Sequence, residues 1–193
     1  MKNTALFAIL AAIGILLPAC ALTPQQLHLE PTVAVKSEPV ASGTTVAVSI
    51  EDRRTDSKLG EVGDPNTQMV EVSLTEDFKP RLYEEVRKVL TGLGFTVVPA
   101  GEEADHSLQI DVRRLELSSV KQPFVFDTEL RAELGAVATN GPDTYDRLYY
   151  VRTRKETAGP PYLKDSNALI NTAVSQALQD MLSDERLLDV LTR

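Results

Sequence analysis

The chain is poor in the residues that covalent cross-links, thiolate metal sites and aromatic cores require. It has one cysteine and no tryptophan, and aromatic residues make up 5% of its 193 positions. A single thiol excludes an intrachain disulfide and any metal site built from several thiolates. The fold must therefore be held by packed aliphatic side chains, and a chain of this length can bury enough apolar surface to form one domain.

The chain also has fewer basic than acidic residues. Asp and Glu total 28 against 20 Lys and Arg, and the formal net charge at pH 7 is -8. Nucleic acids and anionic lipid surfaces attract proteins that carry an excess of basic residues. The composition therefore argues against nucleic acid or an anionic membrane surface as a general partner.

Motifs for catalysis or metal binding are missing. The two histidines are His28 and His106, and a metal site using both would need the N-terminal segment to fold back, so no metal or cofactor is expected. Residues 105–107, "DHS", contain the residue types of a hydrolase triad, but neighbours on a strand point to opposite faces of a sheet. No Walker loop, dinucleotide-binding turn or GxSxG motif occurs. We expect no enzyme, and a hydrolase is the remaining alternative.

What the chain does have is an apolar N-terminus. Lys2 precedes an apolar stretch at residues 5–17, whose length is typical of the core of a signal peptide. Residues 20–22 would prolong the run towards the ~20 residues that span a bilayer, which leaves an uncleaved anchor as the alternative. The prolines at positions 18 and 24 would end such a helix poorly. We therefore predict a signal peptide over residues 1–19.

The sequence "LPAC" that ends this run resembles the lipobox of bacterial lipoproteins. Leu17 stands three positions before the thiol, the small Ala19 stands next to it, and Cys20 lies at the cleavage point. The resemblance implies that Cys20 becomes the first mature residue and carries a diacylglycerol thioether and an amide-linked acyl chain such as palmitate. Several acyl chains hold a protein on a membrane without release. Ala21 replaces the Asp typical of inner-membrane retention, which implies the outer membrane, facing the periplasm.

Residues 20–43 are predicted to form an extended tether after the lipidated cysteine. Three prolines and several small residues in this segment disfavour a helix. Apolar residues alternate around Pro31, and a proline confines such a segment to the edge of a sheet. These apolar residues are Leu27, Leu29, Val33 and Val35. Residues 44–193 are then expected to form a single globular domain.

The first half of this domain alternates short strands with one helix. Residues 44–50 read as a strand, "EDRRTDSKLGEVGDPN" as a loop, and residues 70–74 as a second brief strand. An apolar stripe over residues 78–93 predicts a helix with Pro80 in its first turn and glycines at its end. The sequence "FTVV" then returns as a strand.

The second half is predicted to contain three long antiparallel strands and a helix. Apolar residues slip in phase between Val112 and Leu115, which indicates a bulge. Even-numbered residues face inward over residues 124–138, and a turn at 140–143 leads into a strand over 145–157. A final helix carries apolar pairs every fourth residue from 169 to 182. Asp165 or Ser166 is its expected cap, and a last short turn begins at Asp184.

This order of elements predicts an α+β fold. We expect a two-layer sandwich of a mixed, mostly antiparallel sheet with two amphipathic helices on one face. The lipobox, "LHLEPTV", "EDRRTD", "GLGFTVV" and "NALINTAVSQALQDML" resemble, in the same order, the YajG-like family of Gram-negative outer-membrane lipoproteins of uncharacterised function. That resemblance brings no activity, cofactor or catalytic residue with it.

Helices on one face leave the other face of the sheet uncovered, and this face is the predicted partner site. Tyr150 is the expected aromatic anchor, with Arg131 and Arg152 setting the register, because Tyr and Arg carry much of the energy of interfaces. A merely solvated face with weak cross-strand ion pairs is the alternative interpretation. The predicted function is that of a lipid-anchored periplasmic accessory module that docks a protein or another envelope component.

Two further interpretations stay open. The first is a carrier or sensor that holds a small apolar ligand between the helices and the sheet. The second concerns the charged cluster at residues 52–56, because paired carboxylates can perform acid–base chemistry. Arginines that alternate with aspartates at the end of a strand more often fix a loop by salt bridges, and we expect that role here.

Overall fold

The computed structural model describes residues 23–34, 38–75 and 77–193. The predicted signal peptide over residues 1–19, Cys20 and Val35 lie outside these residues. Within them, no helix combines the length and the apolar character that crossing a membrane requires.

Eight strands and three helices form the described part of the chain. They are β1 (Gln25–Leu27), β2 (Thr45–Asp52), β3 (Lys58–Asp64), β4 (Gln68–Leu74), α1 (Lys79–Gly92), β5 (Thr96–Pro99), β6 (His106–Lys121), β7 (Phe126–Asn140), β8 (Asp143–Thr157), α2 (Leu163–Leu182) and α3 (Glu185–Thr192).

The strands form one mixed sheet organised around the long strand β6. On one side, β6, β7 and β8 run antiparallel along almost their whole length. The other side of β6 is shared, because β2 pairs in parallel with its first half and β3 with its second half. β5 extends the β2 branch, whereas β4 and β1 extend the β3 branch. The sheet therefore forks between Asp52 and Lys58.

The α+β class is confirmed, but the two-layer sandwich is not. The sheet curls into a half-barrel instead of lying as a flat layer. Long antiparallel strands twist, and a bulge in one of them increases the local twist. The predicted bulge is present in β6, where the register with β7 shifts between Val112 and Arg114.

All three helices pack on the same face of the sheet, around one continuous core. α1 lies against β2 and β5, α2 against β7, β8 and β1, and α3 against β7 and β8. The predicted stripe of α2 is confirmed, since its apolar pairs from position 169 to 182 are all buried. The even-numbered residues of β7 from Phe126 to Ala138 are buried as predicted, and Tyr149 of β8 is buried with them.

Three details of the prediction were wrong. Phe124 is 90% exposed, because the turn closed by the Gln122 amide and the Val125 carbonyl at 2.7 Å lifts it out of the sheet. The expected loop over residues 51–66 contains strand β3, whose charged neighbours and glycines hide its buried Leu59 and Val62. Helix α2 begins at Leu163, before both expected caps.

Residues 23–34 run along α2 and are named here the N-terminal strap. Amide groups of alternate strap residues point in one direction, as in any extended segment, and residues four apart on a helix share one face. Three strap amides therefore each donate a hydrogen bond to one side chain of α2. His28 donates to Asn167 Oδ1 at 2.9 Å, Glu30 to Asn171 Oδ1 at 2.5 Å and Thr32 to Ser175 Oγ at 2.9 Å.

The N-terminal strap lies within the segment that was predicted to be an extended tether, and most of it is in contact with the domain. Its Leu27, Leu29 and Val33 are buried in the core, and β1 pairs in parallel with β4 at the edge of the sheet. The edge position agrees with the expectation for a segment that contains Pro31. Within residues 20–43, the strap is therefore packed onto the domain and does not act as a free spacer.

Candidate functional site

The side of β6, β7 and β8 that points away from the helices is named here the outer face. It brings together the three residues predicted for partner docking. Arg131 on β7 lies directly opposite Arg152 on β8, and Tyr150 lies two residues before Arg152 on the same strand. Tyr150 is 53% exposed, and its neighbour Leu148, two residues further back, is 47% exposed.

Glu129 is the centre of the charge network on this face. Two arginines placed directly opposite each other on paired strands repel, so a shared anion is needed beside them. Glu129 Oε1 accepts a hydrogen bond from Arg131 Nε at 2.7 Å and forms an ion pair with Arg152 Nε at 2.9 Å. Arg154 Nε lies 3.8 Å from its other oxygen. Burial raises the pKa of Glu129, but the bond from Arg131 and the charge of Arg152 outweigh it and leave that pKa below its ordinary value.

The same arrangement recurs at the other end of the outer face. Arg53 Nε and Arg113 Nη2 flank the Asp111 carboxylate at 3.7 and 3.6 Å, and Gln109 Nε2 donates to it at 2.8 Å. Gly135 opposite Asp111 makes this possible, because a Cβ there would stand 2.9 Å from Arg113 Nε. Glycine thus leaves room for the arginine to lie across the sheet.

On the outer face, the arginine side chains lie above the carboxylates and are more exposed than they are. The side chains of Asp111 and Glu129 are 11% and 13% exposed, whereas those of Arg152 and Arg154 are 49% and 61% exposed. A guanidinium has five N–H donors, and a carboxylate beneath it uses only one or two of them. The outer face therefore presents arginines that are fixed in place and still have donors free for an anion.

A second polar site lies in the fork of the sheet. A cleft of about 450 Å³ is lined by the loop after β2, by β3 and by the bulged part of β6. Its charged lining residues include Arg54, Lys58, Arg113, Arg114, Glu61 and Glu116. This cleft was not predicted from the sequence, because the fork depends on two strands sharing one edge of β6.

The cluster at residues 52–56 fixes this loop, as predicted. Arg54 Nε and Nη2 donate to the two oxygens of Asp52 at 2.9 and 2.8 Å, and the guanidinium lies 5.1 Å from the centre of the Phe78 ring. The hydrogen bonds from Arg54 outweigh burial and hold the pKa of Asp52 below its ordinary value. A carboxylate tied in this way is a poor general base at neutral pH.

Of the residues in "DHS", Asp105 has a structural role. Asp105 Oδ2 accepts a hydrogen bond from the Thr45 amide at 2.9 Å and so fixes the start of β2. His106 and Ser107 are the first two residues of β6 and point to opposite faces of the sheet. His28 Nδ1 lies 3.2 Å from Thr75 Oγ1. Across residues 23–34, 38–75 and 77–193, no three His, Cys, Asp or Glu side chains gather to hold a metal.

A further cluster, which sequence analysis missed, joins β8 to α3. Asp184 Oδ2 accepts hydrogen bonds from Tyr145 at 3.0 Å, from Tyr149 at 2.7 Å and from Arg147 at 2.7 Å. Its Oδ1 accepts from the Arg186 amide at 3.0 Å and so caps α3. Burial and the bond to Asp184 raise the pKa of Tyr149. The three partners on β8 thus hold the start of α3 on the sheet, and the Arg186 amide caps that helix.

Comparison with known proteins places these features in a family context. Residues 31–192 match the model of a family described as "Uncharacterized lipoprotein". No curated protein has a matching sequence. Protein XCC0632 from Xanthomonas campestris has a similar structure, with a TM-score of 0.50 at 17% identity over 84% of this chain and 93% of that one. A neuraminyllactose-binding hemagglutinin homolog from Helicobacter pylori gives 0.50 at 8% identity, over 82% and 95%. At these identities the similarity concerns the fold alone.

Proposed function

The chain belongs to this family of uncharacterised lipoproteins, and from that membership we propose that it is a lipid-anchored accessory protein without catalytic activity. Cys20 carries the acyl chains, and the domain faces the periplasm from the outer membrane. Its task is to dock another envelope protein through the outer face. The finer resemblance to the YajG-like family stays a prediction.

The observation that carries this proposal is the layer of fixed arginines on the outer face, with exposed Tyr150 among them. Arg131 and Arg152 are already held by Glu129, so a partner does not have to immobilise their long side chains. Arginine binds carboxylates in a planar, directional manner, and tyrosine adds apolar area with one polar group. We therefore propose an acidic surface on the partner protein.

The lipid anchor is tested by the intact mass of the purified protein. We expect a chain that begins at Cys20 and carries a diacylglycerol and one further acyl chain. Cys20→Ala should abolish labelling by a fatty acid and leave a precursor that is not cut at the lipobox. A wild-type chain that still begins at Met1 without any lipid would overturn the anchor.

Docking is tested by photocrosslinking in cells from a reactive side chain at Leu148. The double variant Tyr150→Ala with Arg152→Glu should keep its melting temperature and its membrane fraction but lose the crosslinked protein. Arg186→Glu makes the same charge change on α3, away from the outer face, and should leave the crosslink intact. If the double variant crosslinks as strongly as the wild type, the outer face is only solvated.

The carrier function receives less support from the packing. A carrier needs an internal cavity of several hundred Å³. Between the helices and the sheet, the side chains of Val48, Leu82, Ile110, Leu130 and Leu178 are at most 1% exposed and belong to one continuous cluster. The layer is thus filled by the protein's own side chains where a ligand would lie. We expect fluorescent fatty acids to remain unbound at micromolar concentrations, and saturable binding would favour the carrier.

A further inference from the structure

One end of the domain is fixed close to the proposed anchor. Gln25 is buried, and both ends of its amide are bound, since its Nε2 donates to the Pro161 carbonyl at 2.9 Å and its Oε1 accepts from Ser166 Oγ at 2.9 Å. Four residues lie between Cys20 and Gln25, and the five Cα–Cα steps that join the two can reach at most about 18 Å when fully extended. An acylated Cys20 would therefore hold Gln25 within that distance of the membrane and keep Pro161, to which its side chain binds, close by.

Exposed apolar residues gather at this end. The turn between β6 and β7 lies beside the end of β8, because Phe126 pairs with both Lys121 and Thr157. From there the chain leads through Pro161 into α2. The exposed apolar side chains at this end are Val120, Phe124, Tyr162 and Leu163, at 55%, 90%, 71% and 44%.

The chemistry of this end suits the boundary between lipid headgroups and acyl chains. Aromatic side chains are enriched in that boundary region of membrane proteins. Two of the neighbouring lysines are neutralised, since Lys121 pairs with Asp64 and Lys155 Nζ lies 2.6 Å from Asp165, while the exposed Lys164 follows Leu163. Attraction to this end is therefore mainly apolar, which agrees with the net charge of -8.

We propose that Phe124 and Tyr162 insert into the membrane surface and that the domain stands on this end. The inference rests on the proposed anchor at Cys20 and adds an orientation to it. The outer face then rises from the membrane, and Tyr150 lies seven residues, or about 23 Å along β8, from Thr157 at this end. A partner would approach that face from the side.

Because the chain contains no tryptophan, a single introduced tryptophan can report by fluorescence whether this end contacts the membrane. Phe124→Trp and Leu148→Trp each introduce the sole tryptophan of the chain at an exposed site, the first at the proposed membrane-facing end and the second on the outer face. The lipidated proteins are placed in vesicles of phosphatidylethanolamine and phosphatidylcholine with brominated acyl chains. Phe124→Trp should shift its emission to the blue and lose most of it to bromine quenching, whereas Leu148→Trp should do neither.

Intact mass of the same samples separates the two proposals. An acylated Cys20 together with unquenched emission from Phe124→Trp overturns the proposed orientation and leaves the anchor standing. A chain without acyl groups that stays off the vesicles overturns the anchor and the orientation together. Tyr162→Trp provides a second reporter at the same end, and quenching there must agree with that of Phe124→Trp.

Discussion

The Tyr149 hydroxyl donates a 2.7 Å hydrogen bond to Asp184 and so ties strand β8 to the start of α3. Burial raises the pKa of Asp184, but the bonds from Tyr149, Tyr145 and Arg147 outweigh it and leave that pKa below its ordinary value. A carboxyl group with a lower pKa in the folded state stabilises the fold above its unfolded pKa. That contribution is lost as the pH falls through the folded pKa.

Asp184→Asn tests this cluster with the helix cap preserved, because Asn and Asp cap helices equally well. We expect a loss of about 2 kcal/mol in the free energy of unfolding at neutral pH, since hydrogen bonds to a buried charge are removed. The difference from the wild type should shrink as the pH is lowered below about 4. Urea unfolding of both proteins across this range measures it, and a difference that does not change with pH would contradict the assigned role of the charge.

The N-terminal strap depends on Asn171, which both accepts from the Glu30 amide and donates to the His28 carbonyl, at 2.5 and 3.0 Å. Asn171→Ala should accelerate hydrogen exchange at the strap amides and cost about 1–2 kcal/mol of stability. Thr172→Ala, at the exposed neighbouring position, is the control and should leave the exchange of the strap unchanged. Equal exchange in both variants would mean that these bonds do not hold the strap.

The stripe of α2 should tolerate no charge. Ala177 is fully buried against the sheet, so Ala177→Asp would place a desolvated carboxylate in the core and cost several kcal/mol. Thr172→Asp puts the same charge on the exposed side of the helix and should change stability by less than about 0.5 kcal/mol. Thermal melting of the two variants measures this difference, and similar melting temperatures would show that the stripe is not packed as described.

Gly60 is required where β3 meets β6. Its φ is +146°, and a Cβ at this position would lie 1.9 Å from the Leu117 carbonyl oxygen. Gly60→Ala should therefore separate the two strands and cost about 3 kcal/mol or more. At Gly92, in the last turn of α1, a Cβ meets nothing within 4 Å, so Gly92→Ala should stabilise by up to about 1 kcal/mol. Denaturant unfolding of both variants provides the comparison, and equal effects would contradict the close approach at Gly60.

Periodicity alone located the long elements. The phase of β7, the bulge in β6 and the buried stripe of α2 follow from apolar spacing, since each of these elements is long enough to show its period several times. The strand β3 was missed, because two glycines and several charges interrupt its pattern within seven residues. Its burial depends on a neighbour, β6, that lies more than fifty positions away in the sequence.

The contacts that complete the candidate sites join distant positions and leave no local pattern. Tyr145, Tyr149 and Asp184 meet across separations of 35 to 39 residues. The bonds between Asn171 and the strap could not be predicted from the sequence, because polar residues are common on the exposed side of any helix. By contrast, Tyr150, Arg131 and Arg152 were placed on one face by strand alternation, which depends only on register.

The strap also sets the order in which the molecule can be completed. Its hydrogen bonds to Pro161 and to α2 join positions 136 to 143 residues apart in the sequence. A chain is synthesised from its N-terminus, and contacts of such long range can close only after their second partner exists. The pairing of β1 with β4 can form earlier, but the bonds that fix the strap on α2 must wait until that helix has been made. Residues beside the proposed anchor are thus made long before the helix that completes their contacts.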